Sequence, residues 1–146
     1  MHWTKDEFLI TTDREKIDVA AVHNFLKTSY WAENIPYDVV QKSIAGSLCF
    51  GVFYNQQQVG FARVVTDSAT FAYLADVFII EAFRGRGLSC WLMEVILAHP
   101  QLQGLRRFLL ATRDAHGLYK KFGFTPITQI EPWMQQHNPD VYKQPV

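Results

Sequence analysis

The sequence predicts a mixed α/β domain, an α+β arrangement on a mostly antiparallel sheet, and three observations carry that reading. Between residues 48 and 80 three β-favouring apolar runs follow one another with only short polar turns between them, so they should pair as consecutive antiparallel strands. After Gly85-Arg86-Gly87 the pattern changes, and Leu88, Trp91, Leu92, Val95 and Ile96 fall on one face of a helix. Residues 108–112 are apolar again, and a strand reached through a helix should return as a right-handed parallel crossover.

The 146 residues are the size of one ordinary domain, spanning 1–146 without a visible boundary or repeat. At 49% hydrophobic and 14% aromatic the chain can build a sizeable core, which excludes a disordered segment. Its formal net charge is zero, whereas a general nucleic-acid or membrane-surface binder needs a basic excess, so neither partner is expected. No apolar run approaches a membrane span, and MHWTKDEFLITTD lacks the apolar core of a signal peptide. Cys49 and Cys90 sit inside apolar elements and read as buried thiols of a reducing compartment, which points to the cytoplasm. The histidines at 2, 23, 99, 116 and 137 are scattered and none stands at metal-ligand spacing, so no metal is expected. His99, before Pro100 at a helix end, suits the dipole there as a cation.

Taken in order, residues 8–12 make a first strand. Asp18 is a fair N-cap, and Val19, Val22, Leu26 and Tyr30 recur at helical spacing, so a helix runs from there to about Trp31. Pro36 suits the first position of a second helix over 37–45, with Val40 and Ile44 inward and Gly46 as the stop. Residues 48–54 read as a strand covered on both faces, 59–67 as its hairpin partner, and 71–80 as the third strand. Asp114 should cap a short helix that carries Ala115, Leu118, Tyr119 and Phe122 on one face and ends at Gly123. A last strand is expected over 124–130, interrupted early by Pro126, and the tail 131–146 should close over the sheet through Trp133 and Tyr142.

The chemistry gathers at the Gly-Arg-Gly turn. A helix N-terminus presents unpaired N–H groups and the positive end of its dipole, glycines let backbone amides close on an anion, and Arg84 and Arg86 add charge. A phosphate or pyrophosphate would be held well there, although a Gly-x-Gly before a helix can also be a plain tight turn.

Two motifs in this order resemble the GNAT superfamily of N-acetyltransferases. The superfamily's cofactor pattern, R/Q-x-x-G-x-G/A at a strand-to-helix junction, stands here as RGRGLS, with Arg84, Gly87 and, in the last place, Ser89. Its helix ending A-x-x-L-Y-x-x-x-G-F stands as AHGLYKKFGF from Ala115 to Phe124. The chain departs from the family in Ser89 and in Thr112, which occupies the place of an Asn often found seven residues before the tyrosine.

The resemblance implies a mostly antiparallel sheet whose central parallel pair splays apart, with helices on both faces. It implies acetyl-CoA as acyl donor, its pyrophosphate cradled by Gly85, Arg86, Gly87, Leu88 and Ser89 with help from Arg84. Pantetheine would pair with the main chain near Phe78 and Ile79, and Asp114 joins the cofactor-binding set. Tyr119 becomes the catalytic acid, because a phenol with a pKa of ~10 can donate to a departing thiolate whose conjugate pKa is ~8.5; spacing alone would make it a core tyrosine. Asp76, a carboxylate between Ala75 and Val77, is either a substrate or base residue or half of an ion pair with Arg63, which shares its sheet face if the hairpin loop is just Ser68-Ala69. Water could deprotonate the amine instead. Tyr30, Trp31 and Arg63 are the substrate-binding candidates. The acceptor would be a primary amine of a small molecule or peptide, and a homodimer through the last strand and tail is plausible. The alternatives are a non-catalytic acyl-CoA-binding or sensor domain on the same fold, and an unrelated nucleotide binder, which the missing P-loop and GxGxxG weaken.

Overall fold

Tight turns and alternating apolar residues build a sheet of six strands in the order β1-β2-β3-β4-β5-β6, in a computed structural model that describes residues 1–143. The strands are β1 (His2–Lys5), β2 (Phe8–Thr11), β3 (Leu48–Tyr54), β4 (Gln57–Thr66), β5 (Phe71–Ile79) and β6 (Arg107–Leu110). Neighbours are antiparallel except β5 and β6, which are parallel as the crossover requires. Asn55 and Gln56, at φ 47° and 71°, close the β3–β4 hairpin in two residues, the left-handed turn that matches strand twist.

Four helices cover the sheet: α1 (Val19–Leu26), α2 (Tyr37–Ala45), α3 (Leu88–Ala98) and α4 (His116–Lys120). On one face Val22 and Leu26 of α1 and Val40 and Ile44 of α2 bury against Phe61 and Phe78. On the other, Leu92 and Ile96 of α3 bury against Phe50, Val52 and Leu74, and Tyr119 of α4 joins that cluster. The Asp18 carboxylate accepts the N–H of Ala21, a cap of about 1 kcal/mol.

The structure corrects several expectations. A four-residue edge strand, β1, precedes the expected first strand; it has one apolar anchor, Trp3, set against Phe50, and pairs through a turn at Asp6 (φ 54°). Helix α1 ends at Leu26, not near Trp31, because the hydroxyls of Thr28 and Ser29 bond back to the carbonyls of Phe25 and Leu26, which competes with further helix. Asp114 does not cap α4: the Thr112 hydroxyl accepts the Ala115 N–H and forms the turn into the helix. His99 is no helix-end cation; its Nδ1 accepts the Gln101 N–H, and burial beside Trp3 and Phe50 lowers its pKa from the usual 6.5.

Residues 124–130 form no strand, so β6 is an edge strand among the described residues. Pro126 removes a ladder donor where pairing would begin, and Phe124 packs edge-on against Phe108 instead. In the tail, Trp133 lies under the Arg107 guanidinium and Tyr142 packs into the α1–α2 face; residues 144–146 lie outside the described ones.

Candidate active site

The parallel pair β5–β6 is bonded only from Phe71 opposite Arg107 to Leu74 opposite Leu110. There β6 ends while β5 runs on to Ile79, so the second half of β5 has an open edge. A cleft of about 750 Å³ fills the opening, from Arg84 and Ser89 at one end, past Val77, Thr112 and Tyr119, to Trp31 and Ile35 at the other.

At the first end lies the Gly-Arg-Gly turn. Gly85 and Gly87 have φ of 78° and 75°, and a Cβ on either would meet nothing within 4 Å, so the backbone there lies open on its outer side. Gly87 is the N-cap of α3, and no side chain caps the helix. The first intrahelical bond runs from the Trp91 N–H to the Gly87 carbonyl, which leaves the amides before it for an anion. Arg86 lies over the Phe83 ring at 5.0 Å, and Leu88 is buried in the core. Arg84 folds inward, its Nε donating to the Ile79 carbonyl at 2.9 Å. Since Ile80 donates its N–H to Val59, the alternation of an antiparallel ladder turns the polar groups of Ile79 to the open edge. Arg84 thus occupies the carbonyl there and leaves the neighbouring N–H for a ligand. The Phe78 side chain points the other way and stacks on Phe25, with centroids 3.9 Å apart.

The middle is set by a bulge. Arg63 pairs with Ala75 and Phe61 with Phe78, so β5 carries one extra residue, and Asp76 sits at φ 54°. A non-glycine residue there costs about 1–2 kcal/mol. Strict alternation from Ala72 and Leu74, which face α3, would send Asp76 and Phe78 to that same face; Phe78 instead lies in the α1–α2 cluster. The bulge turns Asp76 out of the α3 core. Its Oδ2 accepts Arg63 Nε at 2.8 Å, its Oδ1 accepts the Trp31 indole N–H at 2.9 Å, and Arg63 Nη1 donates to the Ser47 hydroxyl at 3.2 Å. The ion pair with Arg63 therefore forms by a different route from the Ser68-Ala69 loop: the loop is longer, with Thr66 opposite Ala72, and the bulge restores the approach.

Tyr119 reaches the cleft from α4. The residue is 8% exposed and lines both this cleft and the groove on the other side of β6; its hydroxyl bonds to no described protein group and is not sealed from solvent. Burial pushes its pKa above the usual 10, with Tyr30 and Asp114 adding in the same direction, so the phenol is protonated at neutral pH. Tyr30 and Trp31 stand on the loop after α1, 48% and 41% exposed, with their rings edge-to-face. Asp114 lines the cleft beside Tyr119.

Tyr30, Trp31, Arg63, Asp76, Phe78, Ile79, Arg84, Ser89, Asp114 and Tyr119 all line this one cleft, and Gly85 to Leu88 form the turn between Arg84 and Ser89. Sequence reasoning missed Arg113 and the bulge. Arg113 stacks on Tyr30 with its guanidinium 3.8 Å from the ring centroid, and its backbone N–H donates to the Tyr30 hydroxyl at 3.2 Å. It belongs to no motif, and its partner is 83 residues away. A second groove, of about 1040 Å³, lies outside β6 along Phe124 and Trp133, away from the α3 N-terminus. No group of three metal-ligating side chains occurs among the described residues, and none of their helices is long and apolar enough to cross a membrane.

A sheet whose parallel pair splays beside a glycine-led helix N-terminus is the architecture of an acyl-transferring enzyme of the GNAT type. The model of the acetyltransferase (GNAT) family matches residues 19–124, and the chain belongs to that family. A solved structure from Xanthomonas campestris pv. campestris, assigned to the same family, is 48% identical, covers 94% of this chain and 97% of its own, and superposes with a TM-score of 0.92. A curated protein of Gibberella zeae, provisionally named an acetyltransferase, is 30% identical in an alignment that covers 82% of this chain and 80% of that protein. A GNAT-family acetyltransferase of Elizabethkingia anophelis, solved with acetyl-CoA bound, shares the fold at 14% identity and a TM-score of 0.63, over 83% of this chain and 78% of that one.

Proposed function

We propose that this protein transfers the acetyl group of acetyl-CoA to a primary amine, with Tyr119 as the acid. The observation that carries the reading is the Tyr119 hydroxyl, protonated and unbonded, in a cleft that begins at an uncapped helix N-terminus. A binding or sensor domain has no need of that group, so its position favours the enzyme over the non-catalytic alternative.

The residues present fit the donor. Open backbone at Gly85 and Gly87 and the free amides of Leu88 and Ser89 suit a pyrophosphate, with Arg84 and Arg86 adjacent. The open edge at Ile79 suits the amide-bearing arm that follows, and an N–H there can polarise a thioester carbonyl. Acetyl-CoA supplies the acyl group as a thioester and departs as the thiol.

The protein's part is to place the amine and manage protons. The acceptor loses its ammonium proton to water and attacks as the free amine; the C–N bond forms and the C–S bond breaks. Tyr119 gives its proton to the leaving sulfur and regains one from the new amide nitrogen, so acetamide and thiol form with no net change at the enzyme. Asp76 acts by position. Both its oxygens already accept N–H donors, one from a guanidinium, so it holds Trp31 and Arg63 in place beside the cleft. The free thiols of Cys49 and Cys90 support a reducing, cytoplasmic setting.

Calorimetric titration of acetyl-CoA into the wild type and Arg86→Glu tests the donor site. Micromolar binding weakened by the substitution is expected, and no binding to the wild type would remove the reading.

A further inference from the structure

The far arm of the cleft is walled by Phe25, Trp31, Ile35, Val39 and Tyr142, an apolar and aromatic lining. The charged residues along the whole cleft are Arg63, Arg84, Arg113, Asp76 and Asp114. Three of these five are committed: Arg63 and Asp76 to each other, Arg84 to the Ile79 carbonyl. Arg113 has no ion-pair partner among the described residues. Its guanidinium is ordered on the face of Tyr30, a stacking that leaves the N–H rim free to bind a planar anion bidentately. Asp114 is likewise without an ion pair, and it lies close enough to Tyr119 for its charge to be felt there.

The uncommitted charges are therefore one cation and one anion. A polyamine or other polycation carries several ammonium groups and needs a carboxylate for each, whereas this cleft offers it three arginines. One free charge of each sign suits an acceptor that is itself both amine and acid, and the walls suit an apolar body. We propose that the acceptor is a small primary amine carrying a carboxylate on an apolar or aromatic body, an amino acid in chemical class, with the carboxylate held by Arg113. This rests on the acetyltransferase reading above and names the acceptor of that same site.

The test uses matched pairs with and without the carboxylate: phenylalanine against phenethylamine, leucine against 3-methylbutylamine, and spermidine as the polycation. Thiol release and product mass are followed at saturating acetyl-CoA, with rates referred to the free-base fraction of each amine. In at least one pair the amino acid should show kcat/KM about tenfold or more above its decarboxylated partner, the size of one charged hydrogen bond. Arg113→Gln should reduce that ratio to near one by raising KM for the amino acid, and Arg113→Lys should restore part of it. Decarboxylated amines or spermidine equalling the amino acids, or Arg113→Gln affecting both members of a pair alike, would overturn the proposal. Calorimetry on the same samples separates the two readings. No acetyl-CoA binding removes the acetyltransferase function itself; binding without transfer to any of these amines removes only the acceptor class.

Discussion

Trp31 donates its indole N–H to Oδ1 of Asp76 at 2.9 Å, and so ties the loop after α1 to the bulge in β5. One contact joins the aromatic wall of the cleft's far arm to the carboxylate that the bulge turns towards it. Trp31→Phe keeps the ring and removes the donor. The expected result is a several-fold rise in acceptor KM with acetyl-CoA affinity unchanged, and a stability change within about 1 kcal/mol, since Trp31 is well exposed. Steady-state kinetics beside a thermal melt would show it, and an unchanged acceptor KM would detach Trp31 from substrate positioning.

Tyr119→Phe should lower turnover by 10²-fold or more, roughly the worth of a positioned acid, while acetyl-CoA binds nearly as before. Because burial raises the phenol's pKa above 10, the acid form persists through neutral and mildly alkaline pH. The wild-type rate should show no loss from this group until pH passes the ordinary tyrosine range, and the substituted enzyme should lack that alkaline limb. Unchanged turnover at saturating substrates would take Tyr119 out of the acid role.

Gly87→Ala tests the cradle. The folded protein has room for the methyl, so the change meets no clash, but at φ 75° alanine costs about 1 kcal/mol. A small drop in melting temperature is expected together with a loss of acetyl-CoA affinity of about tenfold or more, as the methyl occupies the space an anion would take. A variant that melts lower but binds equally well would place the pyrophosphate elsewhere.

His99 should make the fold acid-sensitive. Its pKa is lowered in the folded protein, first by burial and then by the N-terminal charge, so the unfolded chain takes up a proton before the folded one does. Stability from this group is fully present above its ordinary value of 6.5 and is lost as pH falls through the lower folded value. Urea midpoints at pH 8 and pH 5 should differ in the wild type and differ less in His99→Asn, which can still accept the Gln101 N–H. Equal pH dependence in both proteins would assign the acid sensitivity to other groups.

Much of the fold is legible in the sequence because its signals are local. The limits of β3, the presence of a turn after it and the amphipathic face of α3 each follow from residues a few positions apart; the turn itself is one residue shorter than the expected 55–57, and β4 starts at Gln57. The Gly-Arg-Gly turn is legible for the same reason, as glycines, arginines and a helix start coincide over Arg84 to Ser89. The far half of the cleft is not. Asp76 faces it only because β5 gains a residue at a bulge; strict alternation from Ala72 and Leu74 would send it to the α3 side, and the expected Ser68-Ala69 loop reaches the Arg63 pairing only because its length offsets the missing bulge. Arg113 enters through Tyr30, a pairing between remote loops that no periodicity records. The expected strand over 124–130 had the apolar content of a strand, but Pro126 withholds a donor at its start, and tertiary packing of Phe124 prevails over propensity.

The unpaired flank of β6 has a consequence for the molecule's behaviour in a crowd. A bare strand edge is a template on which another copy can add its own strand and begin an aggregate. Here the chain after α4 passes beside that edge without bonding to it, pinned where Phe124 meets Phe108 and where Trp133 lies under Arg107. With Pro126 and Pro132 in it, that segment lacks two of the donors a ladder needs, so it is a poor strand to extend and adds no second sticky edge of its own.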